Sequence, residues 1–207
     1  MDRRSLLRLV AAGCTAAWVP ALRAQGAGRP GTEAPAFTLQ DLGGRPVQLE
    51  SLRGRYVVLE WNNPSCPFVR KHYDSGNMQS LQKRYTGDGG AWLTINSTAS
   101  THPEFRKLAE MAAWMTEQGG TPTAVLLDPD GKVGRAYDAR ATPHMFVIDP
   151  RGVLIYAGAI DDKRSTNLAD TKTAKNYVVA ALADARAGRP VGIGHTQAYG
   201  CTIKYPD

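Results

Sequence analysis

The chemistry open to this chain centres on Cys66, in the stretch Asn62-Asn63-Pro64-Ser65-Cys66-Pro67-Phe68-Val69-Arg70-Lys71-His72-Tyr73. A cysteine attacks as its thiolate, and at an ordinary pKa of about 8.5 only a few per cent is ionised at neutral pH. A helix beginning at Pro67 changes that. Proline fits the first helical position, Cys66 becomes the N-cap, and the amides of Phe68 and Val69 are then free to donate to its sulfur. Arg70 and Lys71 add positive charge one turn along. This polar turn predicts a reactive thiol in preference to an inert structural one. Val69 stands where the second cysteine of a C-x-x-C pair would be, so a partner thiol has to come from elsewhere.

A lone thiolate that reacts is left as a sulfenic acid or a mixed disulfide, and turnover then needs a second thiol. The chain has three cysteines, Cys14, Cys66 and Cys201. Residues 1–24 read as an export signal: Arg3-Arg4, a largely apolar stretch Ser5–Leu22, then the small-residue context around Ala24. Arg3-Arg4-Ser5-Leu6-Leu7 resembles a twin-arginine address, with an ordinary secretory signal as the simpler alternative and a lipid-modified Cys14 as a third. Cleavage near Ala24 removes Cys14 and sends Cys66 and Cys201 to an oxidising compartment, the periplasm. An even count there suggests a pair. Such a bond closes a loop of well over 100 residues, worth about 5 kcal/mol on chain-entropy grounds. It is either a reversible exchange pair or a permanent staple that silences Cys66.

The 207 residues suit one domain with a full core, 43% of them hydrophobic. Net charge is +6, and losing residues 1–24 removes four arginines and one aspartate to leave +3. That mild excess, without a dense basic patch, argues against a nucleic-acid partner. No segment after the signal is long enough to span a membrane. There is no Ser/His/Asp triad, phosphate-binding glycine loop or pair of carboxylates at glycosidase-like positions, and Asp161-Asp162 reads as a solvated turn. Cys66 and Cys201 with His144 or His72 could hold copper or zinc, but the spacing forms no metal signature.

The elements that must position these groups follow from periodicity. Residues 25–32 form a Gly/Pro-flavoured linker. Phe37-Thr38-Leu39 and Val47-Gln48-Leu49 flank the turn Asp41-Leu42-Gly43-Gly44 as a hairpin. Tyr56–Trp61, Ala91–Asn96 and Thr123–Leu127 read as strands buried on both faces. His144–Ile148 and Val153–Ala157 flank the turn Asp149-Pro150-Arg151-Gly152. Helical stripes run through Met78, Leu81 and Tyr85, through Phe105, Leu108, Met111, Ala112 and Met115, and through Tyr177, Val178, Ala181, Leu182 and Ala185. A domain over 33–190 and a tail over 191–207 carrying Cys201 complete the layout.

From Val57 through Arg70 the chain resembles the thioredoxin superfamily: strand, acid, aromatic, four residues, cysteine, two residues, base. Cys66 falls on the family's attacking cysteine and Glu60 on its buried acid. Thr142-Pro143, opening the strand His144–Ile148, resembles its cis-proline. Gly31–Ala36, Thr123–Gly131 and Ala141–Gly158 are similar to the exported redoxin branch, the AhpC/TSA proteins, and Cys66-Pro67-Phe68-Val69 with Tyr199-Gly200-Cys201 to its single-cysteine peroxiredoxin-like subgroup. The resemblance implies an α/β thioredoxin fold: a mixed central sheet flanked by helices, with an N-terminal hairpin extension and a C-terminal tail. It implies an oxidoreductase whose nucleophile is Cys66, resolved by Cys201 through a Cys66–Cys201 disulfide, with Glu60 assisting proton transfer. Thr142, Pro143, Asn63 and Pro67 shape the substrate groove; Asn63 stands where peroxiredoxins carry a peroxide-holding Thr or Ser. The expected substrate is a thiol, disulfide or peroxide, the electron donor is periplasmic, and no cofactor is needed. The competing expectations are a non-catalytic scaffold with a structural Cys66–Cys201 bond, or a copper-binding module.

Overall fold

The computed structural model describes residues 28–207. The export signal expected over 1–24, with Cys14, and the first residues of the linker lie outside them. Hairpin strands β1 (Thr38–Gln40) and β2 (Pro46–Gln48) pair antiparallel, Leu39 opposite Val47. The Asp41 carboxylate shapes their turn by accepting the amides of Gly43 and Arg45 at 2.8 and 2.9 Å. A 3-10 turn, Leu49–Leu52, leads to β3 (Val57–Trp61), and the next helices are α1 (Pro67–Asp74) and α2 (Asn77–Gly87). Then come β4 (Ala91–Asn96), α3 (Leu108–Glu117), β5 (Ala124–Leu127) and the short α4 (Lys132–Ala136). The two-residue β6 (Ala141–Thr142) precedes β7 (His144–Ile148) and β8 (Leu154–Gly158); α5 (Tyr177–Arg186) and β9 (Cys201–Thr202) end the chain.

The central sheet has the order β5-β4-β3-β7-β8. β3, β4 and β5 run parallel, while β7 lies antiparallel to β3 and β8 to β7. Alternation along the strands divides the core between the two faces. Leu59, Trp61, Leu93, Ile95 and Phe146 pack on one face with Phe37, Leu49 and Tyr137. Val58, Trp92, Met145 and Val147 pack on the other with Val69 and Tyr73 of α1, Met78 of α2, Met111 of α3 and Val178 of α5. Of the second predicted helical stripe, Phe105 stays in the loop: α3 starts at Leu108, where Glu110 reaches back to the Lys107 amide at 2.7 Å.

Residues 191–207 cross the domain as an extended strap. His195 bridges to Ala157, and Thr196 Oγ1 meets both the Tyr156 hydroxyl at 2.6 Å and the Ala159 amide at 2.9 Å. β9 pairs antiparallel with β6, and the Lys204 carbonyl accepts the Ala99 amide at 2.7 Å. The ring of Tyr205 then lies on Gly131 and Gly134, where a Cβ would collide with it.

Candidate active site

Cys66 caps α1 at the end of β3, but the cap differs from the expected one. The amides of Val69 and Arg70 both bond to the Cys66 carbonyl, each at 3.0 Å, and no amide reaches the sulfur. The thiol instead donates to the Thr142 carbonyl at 3.0 Å. With its hydrogen in place, sulfur is a donor seeking an acceptor, and β6 presents one. Cys66 is 1% exposed, and Pro67 occupies the first helical position beside it.

The Thr142–Pro143 peptide bond is cis. Thr142 pairs directly with Cys201 across the β6–β9 ladder, and Thr142 Oγ1 donates to the Cys201 carbonyl at 3.5 Å. Gly200 has φ +137°, and a Cβ there would run into the Thr142 carbonyl. Only glycine lets the strap lie this close. Cys201 is half-buried, and its thiol is pushed up to about 12 by burial first, then by the hydrogen bond and charge of Cys66. Both cysteines are free thiols. The disulfide expected from the sequence is not formed in this structure, although its two members are brought into contact.

Asn63, whose carbonyl accepts the Cys66 amide at 2.9 Å, has its side-chain amide engaged. Nδ2 donates to Glu104 at 2.7 Å, and Oδ1 accepts the Ser65 amide at 2.9 Å. Glu104, from the loop before α3, also adds to the upward push on Cys201. Nothing in its local sequence marks it out.

Glu60 lies fully buried inside a closed set of donors. Oε1 accepts from Asn62 Nδ2 at 2.7 Å and the Tyr73 hydroxyl at 2.8 Å. Oε2 accepts from Trp92 Nε1 at 2.8 Å, Thr94 Oγ1 at 3.2 Å and Gln82 Nε2 at 3.3 Å. Burial raises its pKa and these donors pull it back down. Its partners tie α1, through Tyr73, to β3 and β4. Neither sulfur is among them.

The positive charge expected beside Cys66 is only partly there. Arg70 points outward to Asp74 at 3.6 Å. Lys71 is buried and committed to Asp161 Oδ2 at 3.3 Å and the Lys163 carbonyl at 2.8 Å. This corrects the reading of Asp161-Asp162 as a solvated turn: Asp162 is exposed, but Asp161 is 3% exposed and takes the Lys71 charge. The Asp161 carboxylate also accepts the Tyr199 hydroxyl. His72 faces Asp161 at 3.8 Å rather than Cys66, and burial pushes it down to about 4. His144 stacks on Phe146 and accepts the Arg140 amide on Nδ1 at 3.2 Å; burial holds it at about 4 as well. Among the described residues no three His, Cys, Asp or Glu side chains gather where a metal ion could bind.

Three parallel strands continued by two antiparallel ones, a cysteine at the β3–α1 junction and a cis-proline facing it define the thioredoxin fold and its redoxin branch. Residues 30–157 match the AhpC/TSA family model, and the chain belongs to that family. The match contains Cys66, Glu60 and Pro143 and stops short of Cys201. The thiol-disulfide oxidoreductase ResA of Bacillus subtilis is 27% identical over 128 residues, covering 60% of this chain and 64% of ResA, so less than two thirds of that relative is spanned. An uncharacterized conserved protein from Geobacillus kaustophilus is 27% identical, with a TM-score of 0.75 over 86% of this chain and 93% of its own. The thioredoxin domain of a thiol-disulfide oxidoreductase from Bacteroides vulgatus, 22% identical, shares the fold with a TM-score of 0.52 over 70% of this chain and 95% of its own.

Proposed function

We propose that the protein is an exported thiol–disulfide oxidoreductase that uses Cys66 and Cys201 as a long-range exchange pair. The observation that carries this reading is the β6–β9 ladder. It sets Cys201 opposite Thr142, whose carbonyl holds the Cys66 thiol. In the forward direction the Cys66 thiolate attacks one sulfur of a substrate disulfide, giving a mixed disulfide and releasing one substrate thiolate. The Cys201 thiolate then attacks Cys66 Sγ, the second substrate thiolate leaves, and a Cys66–Cys201 disulfide remains. The substrate has gained two electrons, and a periplasmic dithiol donor returns them to the protein.

Burial is the main cause that raises the Cys201 thiol. Part of its rise comes from the Cys66 side chain and its charge. Bonding Cys66 to substrate removes that part and leaves burial, the largest cause, in place. Pro67, Thr142 and Pro143 border the attacking sulfur, and Asn63 fixes the turn beneath it. Because the Asn63 amide already serves Glu104 and Ser65, a disulfide is favoured over a peroxide as substrate. Glu60 anchors α1 in this reading. The segment 1–24 directs export, and the protein works without a bound cofactor.

Titration of free thiols in the mature protein tests the proposal. Mild dithiothreitol should expose two thiols, oxidised glutathione should consume both, and the cycle should repeat. Thiols consumed by stoichiometric peroxide but not by glutathione would shift the activity to peroxide reduction. A bond that resists mild reductant would make it a staple.

A further inference from the structure

Tyr199 enters the core two residues before Cys201. Its ring packs edge-on against Phe68 of α1 with centroids 5.8 Å apart, and its hydroxyl donates to Asp161. The other Asp161 oxygen faces Lys71 Nζ at 3.3 Å, with side chains 2% and 0% exposed. A buried ion pair is tolerated when its remaining hydrogen-bonding capacity is filled. Here the Lys163 carbonyl serves Lys71 and the Tyr199 hydroxyl serves Asp161. Phe68 and Lys71 belong to the helix that Cys66 caps, so one side chain of the strap is seated on the very element that carries the attacking sulfur. Between Tyr199 and Cys201 lies only Gly200, pressed against the Thr142 carbonyl. Anchoring Tyr199 therefore fixes the register of β9 on β6 and covers Cys66.

We propose that Tyr199, seated on the buried Lys71–Asp161 pair, is the positioning residue that holds the Cys201 strand across Cys66. The proposal rests on the reading of Cys66 and Cys201 as an exchange pair, and it defines how substrate enters. With Tyr199 docked, Cys66 is closed and Cys201 is at hand to resolve. With Tyr199 lifted, β9 leaves the Ala141–Thr142 edge. That edge can then pair with an extended, cysteine-bearing segment of a substrate protein, as it pairs with the strap itself.

The test uses reduced, mature protein and two readouts: the rate of Cys66 alkylation by iodoacetamide, followed by peptide mass spectrometry, and the equilibrium of the Cys66–Cys201 disulfide with glutathione. Tyr199→Phe keeps the ring on Phe68 and removes only the hydroxyl. We expect Cys66 alkylation at least tenfold faster and the effective concentration of Cys201 toward Cys66 at least tenfold lower, with amide exchange in β3 and β4 unchanged. Unaltered alkylation and unaltered equilibrium in Tyr199→Phe would overturn the proposal. So would faster exchange throughout β3 and β4, which marks a general loss of stability. The wild type supplies a measurement that needs no variant. The Ile203 amide, bonded to the Arg140 carbonyl at 3.3 Å beside β9, should exchange through a local opening while β3 stays protected; exchange of the two only together would overturn the latch. If glutathione never forms the disulfide in wild type, yet Tyr199→Phe still exposes Cys66, the exchange-pair reading falls and the latch stands.

Discussion

Replacing Glu60 by leucine removes an acceptor-only group from a buried cage of donors, and the cost can be worked from their geometry. Thr94 and Tyr73 carry hydroxyls that can rotate toward other acceptors. Gln82 Nε2 keeps the Tyr73 oxygen at 3.0 Å. Trp92 Nε1 and Asn62 Nδ2 have no such recourse, since each spends its bond on Glu60, at 2.8 and 2.7 Å. Two stranded donors at about 1–3 kcal/mol each place the destabilisation at roughly 2–6 kcal/mol. Leucine refills part of the volume, so about 4 kcal/mol is expected, a fall in melting temperature of roughly 8–16 °C for a domain of this size. Glu60→Gln keeps one acceptor oxygen and should cost about 1–2 kcal/mol.

Thermal and urea unfolding of the reduced protein between pH 5 and 7 would measure both. The pH dependence has a definite sign. Burial raises the folded pKa of Glu60 above its ordinary 4.5, so the folded state takes up the proton first. The associated stability is fully present below the unfolded pKa and is lost as pH rises through the folded one. Wild type should therefore gain on Glu60→Gln as pH falls toward 5. A leucine variant within 1 kcal/mol of wild type, or a pH trend of the opposite sign, would refute this account of the cage. A tenfold drop in the Cys66 alkylation rate of Glu60→Gln at unchanged stability would instead assign Glu60 to proton transfer.

Other perturbations probe the neighbouring parts. Cys201→Ser should leave Cys66 able to attack but not to be resolved, so a mixed disulfide with glutathione accumulates and is visible as added mass; no adduct would argue against Cys66 as nucleophile. Gly200→Ala forces a side chain onto the Thr142 carbonyl at a φ that disfavours it, costing about 1–3 kcal/mol, and should slow closure of the disulfide at least tenfold in stopped-flow oxidation. Asp161→Ala strands the buried Lys71 charge and should cost about 3–5 kcal/mol in urea unfolding, whereas Lys71→Met combined with Asp161→Leu should recover part of that loss but still leave the Tyr199 hydroxyl without its acceptor.

The central strands were legible because a strand buried on both faces is apolar throughout: Ala91–Asn96 and His144–Ile148 occupy the residues their sequence predicts. Cys66 and Pro67 at the start of α1 were legible from local rules of helix initiation. What escaped sequence reading depends on contacts between distant segments. Of the amides expected on the Cys66 sulfur, that of Val69 bonds the Cys66 carbonyl, and the thiol finds its partner in β6, 76 residues on. Asp161 looks like half of a polar turn until Lys71, 90 residues away, is seen to need it. Glu104 has no periodic context, and although Tyr199 stands in the Tyr199-Gly200-Cys201 motif, its seat on Asp161 is not readable from a strap with no helical period and a single two-residue strand.

In the proposed exchange pair, the separation of the two thiols along the chain ties electron transfer to the integrity of the fold. In a C-x-x-C protein both sulfurs belong to one turn of helix, and a partly denatured chain can still join them. Here the sulfurs meet only when the sheet, the β6 edge and the final residues of the chain are all in place. By thermodynamic reciprocity, whatever the closed bond adds to folding stability, folding adds to the tendency of the bond to form. The reduction potential should thus drift with temperature and denaturant as the native population falls. On the proposed pairing, removing residues 201–207 would leave Cys66 in place and take away its partner thiol.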